Sequence, residues 1–94
     1  VSCLMQCTIV NRKKLPVQKA VAAKKSALLL QAIKQTLRYG DIFTQYNTSR
    51  FLIILNHTKK ENGKIVFNRI AKVYEELGGN RRDIDYQITP MYQE

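Results

Sequence analysis

The hydrophobic positions fall into four short runs with strand character and two longer runs with helical spacing. The first run, about residues 3–10, ends in β-branched side chains, a composition typical of a strand. Two more strands are predicted at Ile42–Tyr46 and Phe51–Leu55, and the second is apolar on both faces, as expected of a central strand. The small polar residues Asn47–Ser49 between them predict a hairpin turn.

The first helical run covers residues 17–38, which are rich in Ala, Leu, Lys and Gln, all good helix formers. Pro16 suits the first turn of this helix, and Gly40 suits a cap at its C-terminal end. The helical spacing predicts one buried stripe, made of Ala22, Ser26, Leu29, Leu30, Ile33 and Leu37.

The second helical run follows a capping-box pattern in which Thr58 is the N-cap and Glu61 reaches back to it. Gly78 and Gly79 are expected to end this helix. Its apolar stripe is predicted to consist of Val66, Ile70, Val73 and Leu77, with Phe67 and Tyr74 beside it.

A last strand is predicted at Ile84–Thr89, where apolar and polar residues alternate, and Pro90 either ends that strand or places it at a sheet edge. The resulting order, β-α-β-β-α-β, predicts an α+β, ferredoxin-like fold with two helices on one face of a four-stranded antiparallel sheet. We see no repeat or linker, and we therefore expect residues 1–94 to form one domain. Because the sequence does not begin with Met, we expect it to be part of a longer chain.

Length and composition exclude several classes of protein. Ninety-four residues suit one small domain and exclude a two-domain enzyme. Hydrophobic residues make up 45%, which excludes a disordered chain. No apolar run approaches the roughly 20 residues of a membrane span, and no signal peptide is recognised, so we expect a cytoplasmic protein without a membrane partner.

The charge is strongly positive and unevenly distributed. The formal net charge is +9, and residues 1–40 hold eight basic and no acidic residues, whereas residues 41–94 hold eight basic and seven acidic ones. This distribution excludes an enzyme that depends on a carboxylate in the first forty residues. Nucleic acid, an acidic neighbouring domain or plain solvation of a basic helix face would each account for it.

The remaining candidates for chemistry are few. Cys3 and Cys7 share one face of a strand about 13 Å apart, too far for a disulfide, and two ligands do not make a zinc site. We expect two reduced, partly buried thiols, no metal and no cofactor. His57 with Ser49 lacks a third member for a catalytic triad, so no catalytic residue is predicted.

Four aromatic residues lie in or near the two middle strands. An RNA-binding sheet would present such residues to stack on bases, but the paired aromatic signature of RNA-recognition modules is not present. We therefore expect core positions for Tyr39, Phe43, Tyr46 and Phe51.

One segment carries a resemblance to a known family. Residues 37–55 read Leu-Arg-Tyr-Gly-Asp-Ile-Phe-Thr-Gln-Tyr-Asn-Thr-Ser-Arg-Phe-Leu-Ile-Ile-Leu, which resembles the diguanylate cyclase (GGDEF) domain. That family has a helix ending in Leu-Arg, a Gly-Asp step, a strand, the signature hairpin and a very apolar strand. Tyr46 and Phe51 bracket the hairpin as in the family, and the resemblance continues through the helix at 58–77.

The departures from the family concern its catalytic chemistry. By the resemblance, the signature falls on Asn47–Phe51, where Asn47 and Thr48 replace the two glycines and Ser49 and Arg50 replace the acids. The end of the first strand, where the family has a metal-binding Asp, holds no carboxylate. Joining nucleotides requires a divalent metal, and Mg²⁺ sites usually include a carboxylate. We therefore expect no enzymatic activity.

One binding feature of the family is retained. Arg38-Tyr39-Gly40-Asp41 stands five residues before the signature, the spacing of the family's Arg-x-x-Asp product-inhibition site. The resemblance implies that Arg38 and Asp41 bind cyclic di-GMP. Without the resemblance, Arg38 would be an ordinary cation in the last turn of a helix, and Asp41 would be an ordinary turn residue.

The resemblance and these departures from it imply a non-catalytic regulatory domain of a bacterial transcriptional regulator. The resemblance is to degenerate domains at the C-terminus of regulators that also carry a bacterial transcriptional activator domain, and it implies contact with other domains of the same chain or a homodimer. DNA would be bound by domains outside this sequence. The alternatives are a cyclic di-GMP receptor using Arg38 and Asp41, or a free-standing basic module that binds nucleic acid.

Overall fold

The computed structural model describes residues 1–91. Its elements follow the predicted order, with a short 3-10 turn at Arg81–Asp83 before the last strand: β1 (Ser2–Ile9), α1 (Lys19–Thr36), β2 (Ile42–Asn47), β3 (Arg50–Asn56), α2 (Lys60–Glu76) and β4 (Ile84–Met91). The α+β, ferredoxin-like fold is therefore confirmed.

The four strands form one antiparallel sheet in the order β2-β3-β1-β4. The central position predicted for the apolar strand β3 is confirmed, since it pairs with both β1 and β2. β4 lies at an edge, where Pro90 opposite Cys3 is tolerated, and the strand continues through Met91.

The core lies between the two helices and one face of the sheet. Every second side chain of β1 and of β3 is buried on this face, as the alternation of a strand requires. The fully buried residues include Met5, Leu29, Phe51, Ile53, Ile70 and Tyr74. On the opposite face, Leu4, Leu52 and Ile54 are only half-buried.

α1 begins two residues later and ends two residues earlier than predicted. Pro16 lies exposed in the preceding loop and is not in the first helical turn. The predicted cap at Gly40 is also wrong, because Leu37 already leaves the helix in an extended conformation with ψ 144°. Gly40, with φ 95°, instead supplies the left-handed step of the turn between α1 and β2. Of the predicted stripe, Leu30 and Leu37 are only half-buried, and Ala32 joins the buried set.

The capping box predicted at the start of α2 is not formed. Lys59 is the N-cap and makes no side-chain cap, while the Thr58 hydroxyl donates to the Asn56 carbonyl 3.0 Å away. A capping box occurs instead at the 3-10 turn, where the Asn80 side chain accepts from the Arg82 N–H and the Asp83 carboxylate accepts from the Asn80 N–H.

α2 packs closely against β4. A Cβ atom on Gly63 would lie 2.8 Å from Ile88 Cδ1, so the missing side chain permits this approach. Further along, the rings of Phe67 and Tyr86 stack with centroids 3.8 Å apart. Phe67, Ile70, Ala71 and Tyr74 form the buried side of α2, whereas Val66, Val73 and Leu77 are half-buried.

The aromatic residues of the middle strands are placed differently from the prediction. Phe51 lies in the core and Phe43 is half-buried, but Tyr39 and Tyr46 are exposed. The reason is that Tyr39 lies in the turn before β2, while Tyr46 lies on the face of the sheet that the helices do not cover. On the open face the Tyr46 hydroxyl accepts from the Gln6 amide at 2.7 Å.

Both cysteines are wholly buried, not partly buried as predicted. Burial, reinforced by the nearby Asp85 charge, raises the pKa of Cys7 to about 12. Burial and the charge of Asp41 also raise the pKa of Cys3. Among the described residues, no helix is long and apolar enough to cross a membrane.

Candidate functional site

The β2–β3 hairpin, which the resemblance identifies with the signature, has a two-residue turn at Thr48 and Ser49. The Asn47 side-chain oxygen accepts from the Ser49 N–H at 2.9 Å, which closes the turn. The Ser26 hydroxyl of α1 donates to the Thr48 carbonyl, and the Ile9 N–H donates to the Ser49 carbonyl at 2.8 Å. Both carbonyls of the turn are therefore used within the chain.

The loop after β1 borders the hairpin and is organised by Asn11. Its side-chain oxygen accepts from the N–H groups of Lys13 and Leu15, at 2.8 and 3.0 Å. Lys14, between them, has the left-handed φ of 62°. This oxygen at the end of β1 already has two donors, so it is not a free ligand for a cation.

A groove of about 640 Å³ lies between the hairpin and this loop. Lys14 and Arg50 bring positive charge to it, and Asp85 is its one carboxylate, while hydroxyl and amide groups supply the other polar side chains: Gln6, Thr8, Asn47, Thr48, Ser49 and Gln87. A divalent metal needs hard, preferably anionic oxygen ligands. Two cations with one carboxylate do not fit such a metal, and residues 1–91 contain no cluster of three His, Cys, Asp or Glu side chains that could hold one.

Arg38 and Asp41 are brought together at the other end of the sheet. The Arg38 Nε lies 3.4 Å from Asp41 Oδ2, which also accepts from the Arg38 backbone N–H at 3.1 Å. Asp41 Oδ1 accepts from the Asn56 N–H at 3.0 Å. The Arg38 guanidinium also donates to the Asn56 carbonyl at 3.0 Å and to the Thr58 hydroxyl at 2.8 Å.

These contacts tie the α1–β2 connection to the β3–α2 connection. The Asp41 side chain is only 3% exposed, and both of its oxygens have donors within the chain. The Arg38 side chain is 56% exposed and lines a cavity of about 190 Å³ together with His57 and Arg69. Only the arginine of the pair therefore faces solvent, and binding of cyclic di-GMP stays a prediction.

Ser49 and His57 are far apart. They stand at opposite ends of β3, whose seven residues span about 23 Å at ~3.3 Å per residue. Direct contact between the two side chains is therefore excluded.

A cluster of basic residues at the α2–β4 edge was not predicted. Its members come from the loop after β1, from α2 and from the 3-10 turn, and they surround Tyr86: Arg12, Lys14, Lys60, Lys64, Arg81 and Arg82. Counting charges before and after residue 40 does not show this cluster, because four of the six basic residues lie in the nearly neutral second half. The spacing of Lys60 and Lys64, one helical turn apart, is the local signal that could have indicated it.

The fold is shared with two solved structures. One is "a DGC protein from Thermotoga maritima", with a TM-score of 0.65 and 20% sequence identity over 94% of this chain. The other is an "EAL/GGDEF domain protein" from M. capsulatus, with a TM-score of 0.61 and 20% identity over 93% of this chain. This chain spans 60% of each of those chains. No protein-family model and no curated protein matches the sequence. The likeness therefore establishes a GGDEF-like fold.

Proposed function

We propose that this domain is a non-catalytic regulatory domain of a bacterial transcriptional regulator, built on the GGDEF-like fold. The observation that carries the proposal is the hairpin groove, where Lys14 and Arg50 face a single carboxylate, Asp85. Phosphoryl transfer between nucleotides depends on metal ions that bridge and neutralise the phosphates. A groove with this charge can attract an anion but offers no ligand set for the metal.

The rigid turn supports the same proposal. In the GGDEF family, by the resemblance, the hairpin glycines let the backbone approach a nucleotide. Here Asn47 and Thr48 occupy those positions, and the turn carbonyls are bonded to Ser26 and Ile9. The hairpin therefore acts as a structural link between α1, β1 and the sheet.

The open face of the sheet is the surface that best suits contact with another domain. Leu4, Leu52 and Ile54 lie on it half-buried, and Ile42 is 58% exposed beside them. Apolar side chains on a sheet face are stabilised when another element covers them. In the proposed setting, this face packs on other domains of the same chain or on a second copy, and DNA is bound elsewhere in the protein.

The coding sequence upstream of Val1 gives the first test, since the proposal requires a DNA-binding domain there. Hydrogen exchange should then be compared between the complete regulator and the isolated domain. We expect slower exchange in β2 and β3, whose open face is covered in the complete protein, and no change in α1, which lies on the other face of the sheet. An upstream reading frame without a DNA-binding domain, or identical exchange in both samples, would contradict the proposal.

A cyclic di-GMP receptor is the second candidate function, favoured by the two arginines, Arg38 and Arg69, that line one cavity. A guanidinium suits bidentate contact with phosphate or a guanine edge. Calorimetric titration should show micromolar binding that disappears in Arg38→Ala and persists in Arg82→Ala, whose side chain lies at the α2–β4 edge. Absence of heat up to millimolar ligand, a binding free energy weaker than about 4 kcal/mol, would reject this candidate.

A further inference from the structure

The α2–β4 edge carries a groove that adjoins the hairpin groove and shares Lys14, Asp85 and Tyr86 with it. Two adjoining cavities, of about 450 and 880 Å³, share the residues Lys14, Asp85 and Tyr86. We refer to this surface as the α2–β4 groove, and it is lined by basic residues from three elements: Arg12, Lys14, Lys60, Lys64, Arg81 and Arg82. The fold therefore gathers cations that are far apart in the sequence.

Within residues 1–91, no ion pair neutralises the basic residues of the α2–β4 groove. All six cations are exposed, and the acidic residues in the lining are Glu61 and Asp85. The ion pairs found within residues 1–91 are Lys25–Asp83 and Arg38–Asp41, and neither involves a groove cation. Such a surface attracts polyanions.

The cations follow a line along the groove. α2 runs antiparallel to β4, because Gly63 packs on Ile88 and Phe67 stacks on Tyr86. Lys60, Lys64 and Asn68 are spaced four residues apart and share one helix face, which covers about 12 Å at ~1.5 Å per residue. Arg81 continues the line, since its guanidinium donates to Asn68 and lies 5.6 Å from the Phe67 ring centroid.

Tyr86 gives the groove an aromatic surface. Its ring stacks on buried Phe67 at an interplanar angle of 15°, which fixes its orientation, and the residue remains half-buried where the two cavities meet. The backbone at Lys14 is also held in place, through the Asn11 turn and its left-handed conformation. A fixed aromatic ring beside cations is the arrangement that single-strand binding proteins use.

We propose that the α2–β4 groove binds a short single-stranded nucleic acid. The lysines and arginines contact successive phosphates, and one unpaired base stacks on Tyr86. The Tyr86 ring favours nucleic acid over an acidic peptide, because a planar base can stack on it and an aspartate or glutamate side chain cannot. This binding goes beyond the proposed regulatory role, in which DNA is contacted outside this chain.

Fluorescence anisotropy with labelled eight-nucleotide DNA and RNA strands, at 50–200 mM salt, tests the proposal. The variant Lys64→Gln/Arg82→Gln removes two groove cations, and Lys24→Gln/Lys34→Gln removes two exposed cations of α1 as the matched control. We expect about tenfold weaker binding for the groove variant, with the salt slope reduced by about 1.4, and less than twofold change for the control.

Two single variants separate the contribution of charge to binding from the contribution of base stacking. Lys14→Asn keeps a residue that tolerates the left-handed backbone while it removes the charge, and it should weaken binding and lower the salt slope by about 0.7. Tyr86→Leu keeps an apolar residue against Phe67 and should weaken binding about tenfold without changing the salt slope, since stacking does not release counterions. Circular dichroism verifies that each variant is folded.

The proposal is overturned by any of four results. These are no binding at 100 mM salt, equal losses in the groove and control variants, displacement of the strand by polyaspartate at equal charge, and equal affinity for a duplex. The third result would identify a surface for acidic polypeptides, and the fourth would identify general attraction to phosphate backbones.

Discussion

Asp41 satisfies its two oxygens entirely within the chain. Three N–H donors reach it: the backbone and side chain of Arg38, and the backbone of Asn56. A carboxylate accepting several N–H bonds in a nearly closed position is a structural element in its own right. Any ligand that used this carboxylate would have to break those bonds first.

We therefore predict that Asp41→Asn destabilises the domain. The amide offers one acceptor oxygen in place of two, and its NH₂ group would face N–H donors, so the free energy of unfolding should fall by about 1–3 kcal/mol. Urea denaturation measures this change. Asp85→Asn is the matched control and should alter stability by less than about 0.5 kcal/mol. Equal stability of Asp41→Asn and the unmodified protein would show that the hydrogen bonds of Asp41 contribute little to the stability of the fold.

The two thiols are predicted to be inert in the folded state. Only a thiolate reacts rapidly, and burial raises the pKa of Cys7 to about 12 and also raises that of Cys3. A chromogenic disulfide reagent at pH 8 should therefore label neither cysteine until denaturant unfolds the protein, after which both react. Rapid labelling without denaturant would mean that β1 opens readily.

Among the elements, Asp83 connects both helices to the beginning of β4. Its carboxylate accepts from the Tyr74 hydroxyl at 2.9 Å and from Lys25 Nζ at 3.0 Å. Burial opposes ionisation, but the hydrogen bonds from Lys25, Tyr74 and the Asn80 N–H outweigh it and hold the pKa of Asp83 below its ordinary value. Burial and the bond to Asp83 together raise the pKa of Tyr74.

This lowered pKa predicts a loss of stability in acid. Because the carboxylate is favoured in the folded state, its stabilisation is present above the unfolded-state pKa of about 3.9 and is lost as pH falls through the lower folded-state value. Urea midpoints measured from pH 6 to pH 2 should fall below about pH 4. Asp83→Asn should be about 1–3 kcal/mol less stable at pH 6 and show a smaller fall. If the urea midpoints of Asp83→Asn and the unmodified protein fell equally with pH, Asp83 would not be the cause of the loss of stability in acid.

The end of α2 depends on a glycine beside Tyr74. A Cβ atom on Gly79 would overlap the Tyr74 ring, which is fully buried and fixed by its bond to Asp83. We expect Gly79→Ala to lower the free energy of unfolding by about 1–3 kcal/mol, the usual cost of overpacking. Tyr74→Leu in the same background should recover part of the Gly79→Ala loss, and thermal unfolding of the single and double variants measures this coupling. Additive effects would exclude the overlap as the cause.

Periodicity predicts the elements of this chain but not their ends. The alternation in β1 and β4 and the stripes of α1 and α2 indicate the sheet and its covered face, because each pattern is local. Thr58 matches a capping pattern, but its hydroxyl accepts from Arg38, twenty residues away in sequence. A local motif cannot show such a partner, and for the same reason the burial of Asp41 was not predictable.

Across the whole molecule, the distribution of charge along the sequence differs from its distribution in space. The basic first half suggests a positive surface on α1, yet the fold assembles the α2–β4 groove from Arg12 and Lys14 together with four cations of the second half. At the hairpin end, Arg50 stands where the resemblance implies an acid, and Lys14 adds a second cation to the same groove. The replacement of acids at the hairpin could be predicted from the sequence alone. The α2–β4 groove could not, because its cations come together only in the folded chain.

Our proposal that the domain performs no metal-dependent nucleotide chemistry is most directly tested by one assay of the purified protein. The domain is incubated with GTP and Mg²⁺ or Mn²⁺, and the products are separated by anion-exchange chromatography. In a separate sample without GTP, which itself binds Mn²⁺, free Mn²⁺ is followed by electron paramagnetic resonance. Since the hairpin groove presents Lys14 and Arg50 with the single carboxylate Asp85, we predict no cyclic di-GMP and no loss of the free Mn²⁺ signal at equimolar protein. Metal-dependent formation of cyclic di-GMP would contradict the proposed function.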